Sequence, residues 1–286
     1  MKIVRKIGEG AFGYVEQVEI KGKSYAGKRF RADRSFDEKR FYREFGILQG
    51  LSHRHIVKYY GYHIVPGGGS MSPMLIMEYM VTNVHDVLVS PSHQDLPSSR
   101  KIVWLLGIAQ GLDYLHSQSV IHRDLTATNV LLNKEALPKI SDFGNSCITG
   151  DDLESNYYLQ SLTSCPGTLA YMAPEAHTKN YGKEIDIFSF GHLALFISTQ
   201  EPSFRLLAAT FLDPHTYVLQ PRDEVQRRQD HFSCLYKKLE ESHPLVTLMK
   251  DCLANNPESR PKASELVSRL GTMSSELPRP PSLILK

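Results

Sequence analysis

The sequence predicts an α+β fold in two lobes: a small antiparallel β lobe with one helix over residues 1–80, and a larger, mainly α lobe over 81–271. Residues 272–286 read as a disordered tail. Three observations predict this. Residues 2–7, 14–20 and 24–30 alternate apolar and polar positions between glycine-rich or Lys-Gly turns, which is the period of half-buried strands. After Met80 that alternation gives way to apolar residues at helical spacing. The chain, at 286 residues, is long enough for two packed bodies that share a cleft.

Each element follows from its own pattern. The three N-terminal strands begin a sheet, and residues 36–50, FDEKRFYREFGILQG, then set Phe41, Phe45 and Leu48 on one helical stripe. Residues 55–65 and 74–79 read as two more strands, with Pro66-Gly67-Gly68-Gly69 as the loop between them. In the second lobe, Ile102, Leu105, Ala109, Leu112 and Leu115 recur at helical intervals within 98–117. Further helical runs cover 185–198, 243–253 and 263–270, the last two bracketing NNPESRP. The segment SSELPRPPS near the end reads as solvated chain.

Composition excludes several function classes. Lys+Arg total 33 against 31 Asp+Glu, so a net charge of +2 provides no field suited to nucleic acid. The longest apolar stretch, 102–109, is far short of a bilayer, and no membrane span is expected. The opening MKIVRKIGEG is already strand and glycine loop rather than a cleavable signal, which points to a cytoplasmic setting. Cys147, Cys165, Cys234 and Cys252 lack C-x-x-C pairing or metal spacing, so free thiols are expected.

The chemistry-bearing residues fall in order along the chain. Gly8, Gly10 and Gly13 stand where backbone must approach phosphate without a Cβ in the way. In a dinucleotide-binding unit such glycines open a helix, but here they run into the strand pattern YVEQVEI. Lys28 follows on the third strand, and Glu44 lies in the helix nine residues before His53. His122-Arg123-Asp124 comes next, with Asn129 five residues past the aspartate and Asp142-Phe143-Gly144 thirteen past the asparagine. Mg²⁺ takes oxygen ligands, usually one or two from protein, and Asn129 with Asp142 would supply that set. Asp124 is then free to orient a hydroxyl nucleophile.

These residues resemble the glycine loop, catalytic loop and metal-binding loop of eukaryotic protein kinases, over about residues 3–270. The resemblance implies the two-lobed protein kinase fold, ATP and Mg²⁺ as nucleotide and metal, and protein substrates as partners in signalling. It makes Lys28 and Glu44 an ion pair at the phosphates, Asp124 the base or orienter, and Asn129 and Asp142 the metal ligands. Met77-Glu78-Tyr79-Met80 is similar to the segment between the lobes, with backbone for adenine at Glu78 and Met80 and with Met77 guarding the rear pocket. Ile7, Val15, Ala26 and Leu131 would sandwich the ring, although each also suits plain core. Thr168, in GTLAYMAPE, resembles the threonine that bonds the catalytic aspartate in the Ser/Thr form of the family.

Other positions take supporting roles in the same resemblance. Glu175 and Arg260 match a buried ion pair, Asp186 an anchor of the catalytic loop, and His122, Phe143, Leu48 and Tyr59 an internal packing spine. Arg123 would meet either a phosphate on the segment 144–167, with Thr163 or Ser164 favoured, or a loop carbonyl. The chain departs from the family at Thr126, where Ser/Thr kinases normally carry a lysine, and at Gly27, where a larger residue is usual. The blend looks most like the tyrosine-kinase-like group of Ser/Thr kinases. Two alternatives stand beside an active Ser/Thr kinase: a pseudokinase scaffold or nucleotide-binding interaction module, and a tyrosine or dual-specificity kinase. The residues carry no reading of oligomeric state.

Overall fold

The computed structural model describes residues 1–10, 13–30, 38–67, 70–93, 96–149, 171–177, 181–201, 239 and 243–285. Five antiparallel strands make the small-lobe sheet: β1 (Lys2–Gly10), β2 (Gly13–Ile20), β3 (Lys23–Phe30), β4 (Tyr59–Gly67) and β5 (Ser70–Glu78). Their spatial order is β1-β2-β3-β5-β4. β2 and β3 close on the two-residue turn Lys21-Gly22, where φ is 50° and 75°. Such positive values match the twist of a tight hairpin, and glycine adopts them without a Cβ clash.

The expected strand at 55–65 starts later, at Tyr59, because Ile56 instead bridges to Ile140 in the large lobe. Of the expected loop at 66–69, Pro66 and Gly67 belong to the ladder, paired to Met71 and Ser70, while 68 and 69 lie outside the described residues. Pairing uses backbone groups, so glycine-rich composition conceals it. Helix α1 (Glu38–Gly50) buries Phe41 and Leu48 and packs against β4 and against the 3-10 turn Phe143–Asn145.

The glycine at position 27 has a packing cause. A Cβ added there would lie 2.4 Å from the sulfur of Met74, a fully buried residue of the neighbouring strand β5. Met74 joins Val18, Val65 and Ile76 in a second small core on the sheet face away from the large lobe, and Gly27 leaves room for it.

The large lobe carries α2 (Val84–Val89), α3 (Ser98–Ser117), α4 (Glu184–Thr199), α5 (Pro244–Cys252) and α6 (Ala263–Glu276). Short strands β6 (Thr82–Asn83), β8 (Val130–Leu132) and β9 (Pro138–Ile140) form one sheet, and β7 (Val120–Ile121) pairs with β10 (Cys147–Ile148). α4 is buried on every face from Ile185 to Ile197, the place of a helix that is apolar all round. α3 lies between α4 and α6 and also packs on β9. Local signals set the helix ends: Asn83 caps α2 by accepting from Asp86 N, and Pro244 occupies the first turn of α5, whose cap His243 accepts from Leu245 N.

The expected disordered tail is corrected over 272–285. α6 runs on to Glu276, and the chain beyond it lies against the large lobe. The Arg100 guanidinium donates to the Pro281 carbonyl, and Leu285 N donates to Lys134 O at 2.9 Å. Leu283 and Leu285 pack on the main core while Ile284 between them is 75% exposed, the alternation of an extended strand. Proline and serine at 278–282 hid that pattern in the sequence.

Candidate active site

Antiparallel register places the upper wall of the cleft. Lys28 is opposite Val15, and Ala26, two residues away on the same strand, is opposite Met77. Partners across a ladder, and residues two apart, share a face, so Val15, Ala26, Lys28 and Met77 share one side of the sheet. Gly8 pairs with Val15, and Gly10 with Gly13, on the outer hairpin. At Gly13 a Cβ would fall 1.9 Å from the Arg29 carbonyl, so only glycine fits the close approach of β2 to β3. Ile7 is exposed at this edge, Ala26 and Met80 are buried, and Glu78 and Leu131 are half-buried. Met80 leads into the large lobe, where Val81 N donates to Leu132 O and Asn83 pairs with Leu131.

Lys28 joins the two lobes electrostatically. Its Nζ lies 2.7 and 2.8 Å from the two Glu44 oxygens and 2.8 Å from Asp142 Oδ1. Burial alone would lower its pKa, but the Asp142 and Glu44 carboxylates hold it above the lysine range. Burial raises the Glu44 pKa against the pull of Lys28. Asp142, whose side chain opens into the cleft, moves the other way: against the desolvation it meets there, Lys28 and the Gly144 N–H hold its carboxyl below the usual range. Asp142 adopts φ 60° and ψ 81°, a left-handed conformation costly for a residue with a side chain.

The catalytic-loop residues are held from below. Asp186, fully buried at the start of α4, accepts from His122 N at 2.9 Å, Arg123 N at 2.8 Å and the His116 ring at 3.0 Å. Burial alone would raise its pKa, and these donors outweigh that and hold it low. His122 is kept neutral by burial, so Nε2 donates to Ser141 O while Nδ1 accepts from Asp124 N. Asn129 Nδ2 donates to the Asp124 carbonyl at 2.8 Å. Asp124 Oδ2 accepts from Asn145 Nδ2 at 3.2 Å, and Oδ1 is buried with no hydrogen-bond partner among the described residues. Burial and the Asp142 carboxylate push the Asp124 carboxyl up to about 7.

A profile of the protein kinase domain matches residues 1–270. The chain belongs to the protein kinase domain family. It is 33% identical over 280 residues to a probable leucine-rich-repeat receptor-like serine/threonine-protein kinase of Arabidopsis thaliana. It is 31% identical over 281 residues to a probable serine/threonine-protein kinase of Dictyostelium discoideum. These matches cover 93% and 96% of the chain but 26% and 24% of the relatives, so the chain spans about a quarter of their length. Among the described residues no helix is long and apolar enough to cross a membrane.

Beyond the cleft, the kinase domain carries the bidentate pair between Glu175 and Arg260, with Arg260 NH2 at 2.9 Å from Oε2. The same guanidinium donates to Ala254 O and Glu184 O and stacks over Phe188 at 4.9 Å, which satisfies a buried cation. Phe143 meets His122 edge-on at 5.2 Å and shares the main core with Leu48 and, at its margin, Tyr59. Arg123, at φ 66°, donates to the Asn145 carbonyl and to Tyr181 OH, so the loop-carbonyl contact is present. Thr168, Thr163, Ser164, Cys165 and Cys234 lie outside the described residues, while Cys147 is buried and Cys252 is a free, buried thiol.

Two features of the kinase domain were not legible in its motifs. Thr126 is turned inward, 4% exposed, with its hydroxyl 2.9 Å from Thr128 Oγ1 and accepting from Asn129 N. Asn145, next after Gly144, reaches Asp124; an asparagine after glycine reads as an ordinary turn residue, so its position beside the metal-binding motif was the only signal.

Proposed function

We propose that this kinase domain transfers the γ-phosphate of ATP to Ser or Thr hydroxyls of protein substrates, with Mg²⁺ as its metal. The observation that carries the reading is the double engagement of Lys28 by Glu44 and Asp142, within 2.8 Å of each, beside an Asp124 oxygen that has no partner among the described residues. Phosphoryl transfer asks a protein mainly for positioning and charge. Lys28 holds phosphate oxygens, Gly8, Gly10 and Gly13 let backbone approach them, and Asp124 orients the acceptor hydroxyl and takes its proton. Ile7, Val15, Ala26 and Leu131 enclose the adenine, the backbone at Glu78 and Met80 bonds its edge, and Met77 limits the rear of the pocket.

The donor set fits Mg²⁺. Among the described residues no group of three or more His, Cys, Asp or Glu could hold a metal. The Asn129 amide nitrogen is taken by the Asp124 carbonyl, which leaves its oxygen, with the Asp142 carboxylate, as two hard ligands. When bound, the metal would neutralise charge on the phosphates. A transferase of this kind works where ATP is plentiful and thiols stay reduced, and the cytoplasm is the setting proposed for it.

Ser/Thr acceptors are favoured by Thr168 in GTLAYMAPE and by relatives named serine/threonine-protein kinases. Purified protein given γ-labelled ATP, Mg²⁺ and mixed acceptor proteins, followed by phosphoamino-acid analysis, should yield phosphoserine and phosphothreonine. Dominant phosphotyrosine would overturn the acceptor class. Nucleotide binding without transfer would make the domain a pseudokinase scaffold.

A further inference from the structure

We propose that Asn145 is a positioning residue that fixes the carboxylate of Asp124 for the acceptor hydroxyl, an inference that rests on the transfer reading above. The torsion that turns an aspartate carboxylate is broad and roughly two-fold, so it takes a defined orientation only when one oxygen is held. Here Asn145 Nδ2 holds Oδ2 at 3.2 Å, and Oδ1 is left buried and unpartnered among the described residues. The amide nitrogen must be the atom facing the carboxylate, since a carboxylate only accepts.

Asn145 is itself pinned from the other side of the catalytic loop. Its backbone carbonyl accepts from Arg123 Nε, and the Arg123 N–H is held by Asp186 at 2.8 Å. Asp186, Arg123, Asn145 and Asp124 therefore form a chain of hydrogen bonds that ends on the carboxylate. Thr126 leaves this task open. Its hydroxyl is committed inward, to Thr128 and to Asn129 N, so nothing at position 126 reaches the carboxylate as a cation would. Asn145 supplies a neutral donor in its place, which orients the base without adding a charge.

The test compares Asn145→Leu, which keeps the branched shape and removes the donor, with Asn145→Asp, which sets a second carboxylate beside Asp124. Both leave the backbone carbonyl used by Arg123. For Asn145→Leu, kcat should fall about ten- to a hundredfold, the range for losing one hydrogen bond to a charged group. The KM for ATP and the melting temperature should stay at wild-type values. Asn145→Asp should lose more, because like charges at this distance disfavour each other. A kcat for Asn145→Leu equal to wild type overturns the proposal. So does a fall in kcat matched by weaker ATP binding and a lower melting temperature, which would mean a merely structural role. A wild-type chain that transfers no phosphate overturns the transfer reading itself, and this inference with it.

Discussion

Lys28 touches two carboxylates of unequal burial, and that inequality decides what its removal does. Glu44 is 2% exposed, whereas Asp142 opens into the cleft. Lys28→Met therefore removes the cation proposed for phosphate and also strands a buried carboxylate. Transfer should fall by ~10²–10³, and stability by ~3–5 kcal/mol. In Lys28→Met/Glu44→Leu part of the stability should return and none of the transfer, as read by denaturant midpoints and initial rates. Near-normal transfer by Lys28→Met at an unchanged midpoint would contradict the site as described. Lys28, Glu44, Asp124 and Asp142 were legible because fixed spacings carry them. Asn145 was not, since its role depends on a contact across 21 residues rather than on a pattern.

At the scale of elements, β3 and α4 each make a testable demand. Gly27→Ala would drive a methyl against Met74, and overpacking of this kind costs about 1–3 kcal/mol. A shorter partner should relieve it, so Gly27→Ala/Met74→Val should be nearer to wild type than additivity allows; equal, additive losses would mean that the two do not compete for space. For α4, the depressed pKa of Asp186 fixes the sign of its pH dependence. A carboxyl lowered in the folded state contributes stability that is fully present above its unfolded value, about 3.9, and lost as pH falls through the lower folded value. The stability gap between wild type and Asp186→Asn should thus be flat above about pH 5 and close only in stronger acid. A gap that closed between pH 6 and about 8 would contradict the anchoring described. The strands and helices were readable from their periods. Their limits were not where pairing decided them, as with Tyr59 and Ile56 at the start of β4.

For the whole molecule, the switch from strand to helix period after Met80 announced two lobes, but the packed chain after α6 was concealed by its prolines. Leu285 is 7% exposed and tied to the Lys134 carbonyl. Leu285→Ala should lower stability by roughly 2 kcal/mol, the cost of vacating a buried leucine site. An unchanged melting temperature would mean that this contact is not kept in solution. Whether the cleft performs chemistry is decided by one comparison: label transfer from γ-labelled ATP to an acceptor protein, by wild type and Asp124→Asn, with and without Mg²⁺. Robust Mg²⁺-dependent transfer by wild type and a loss of ~10² or more in Asp124→Asn is the expected result. Equal transfer by the two proteins, or none by a wild type that binds ATP, would contradict it.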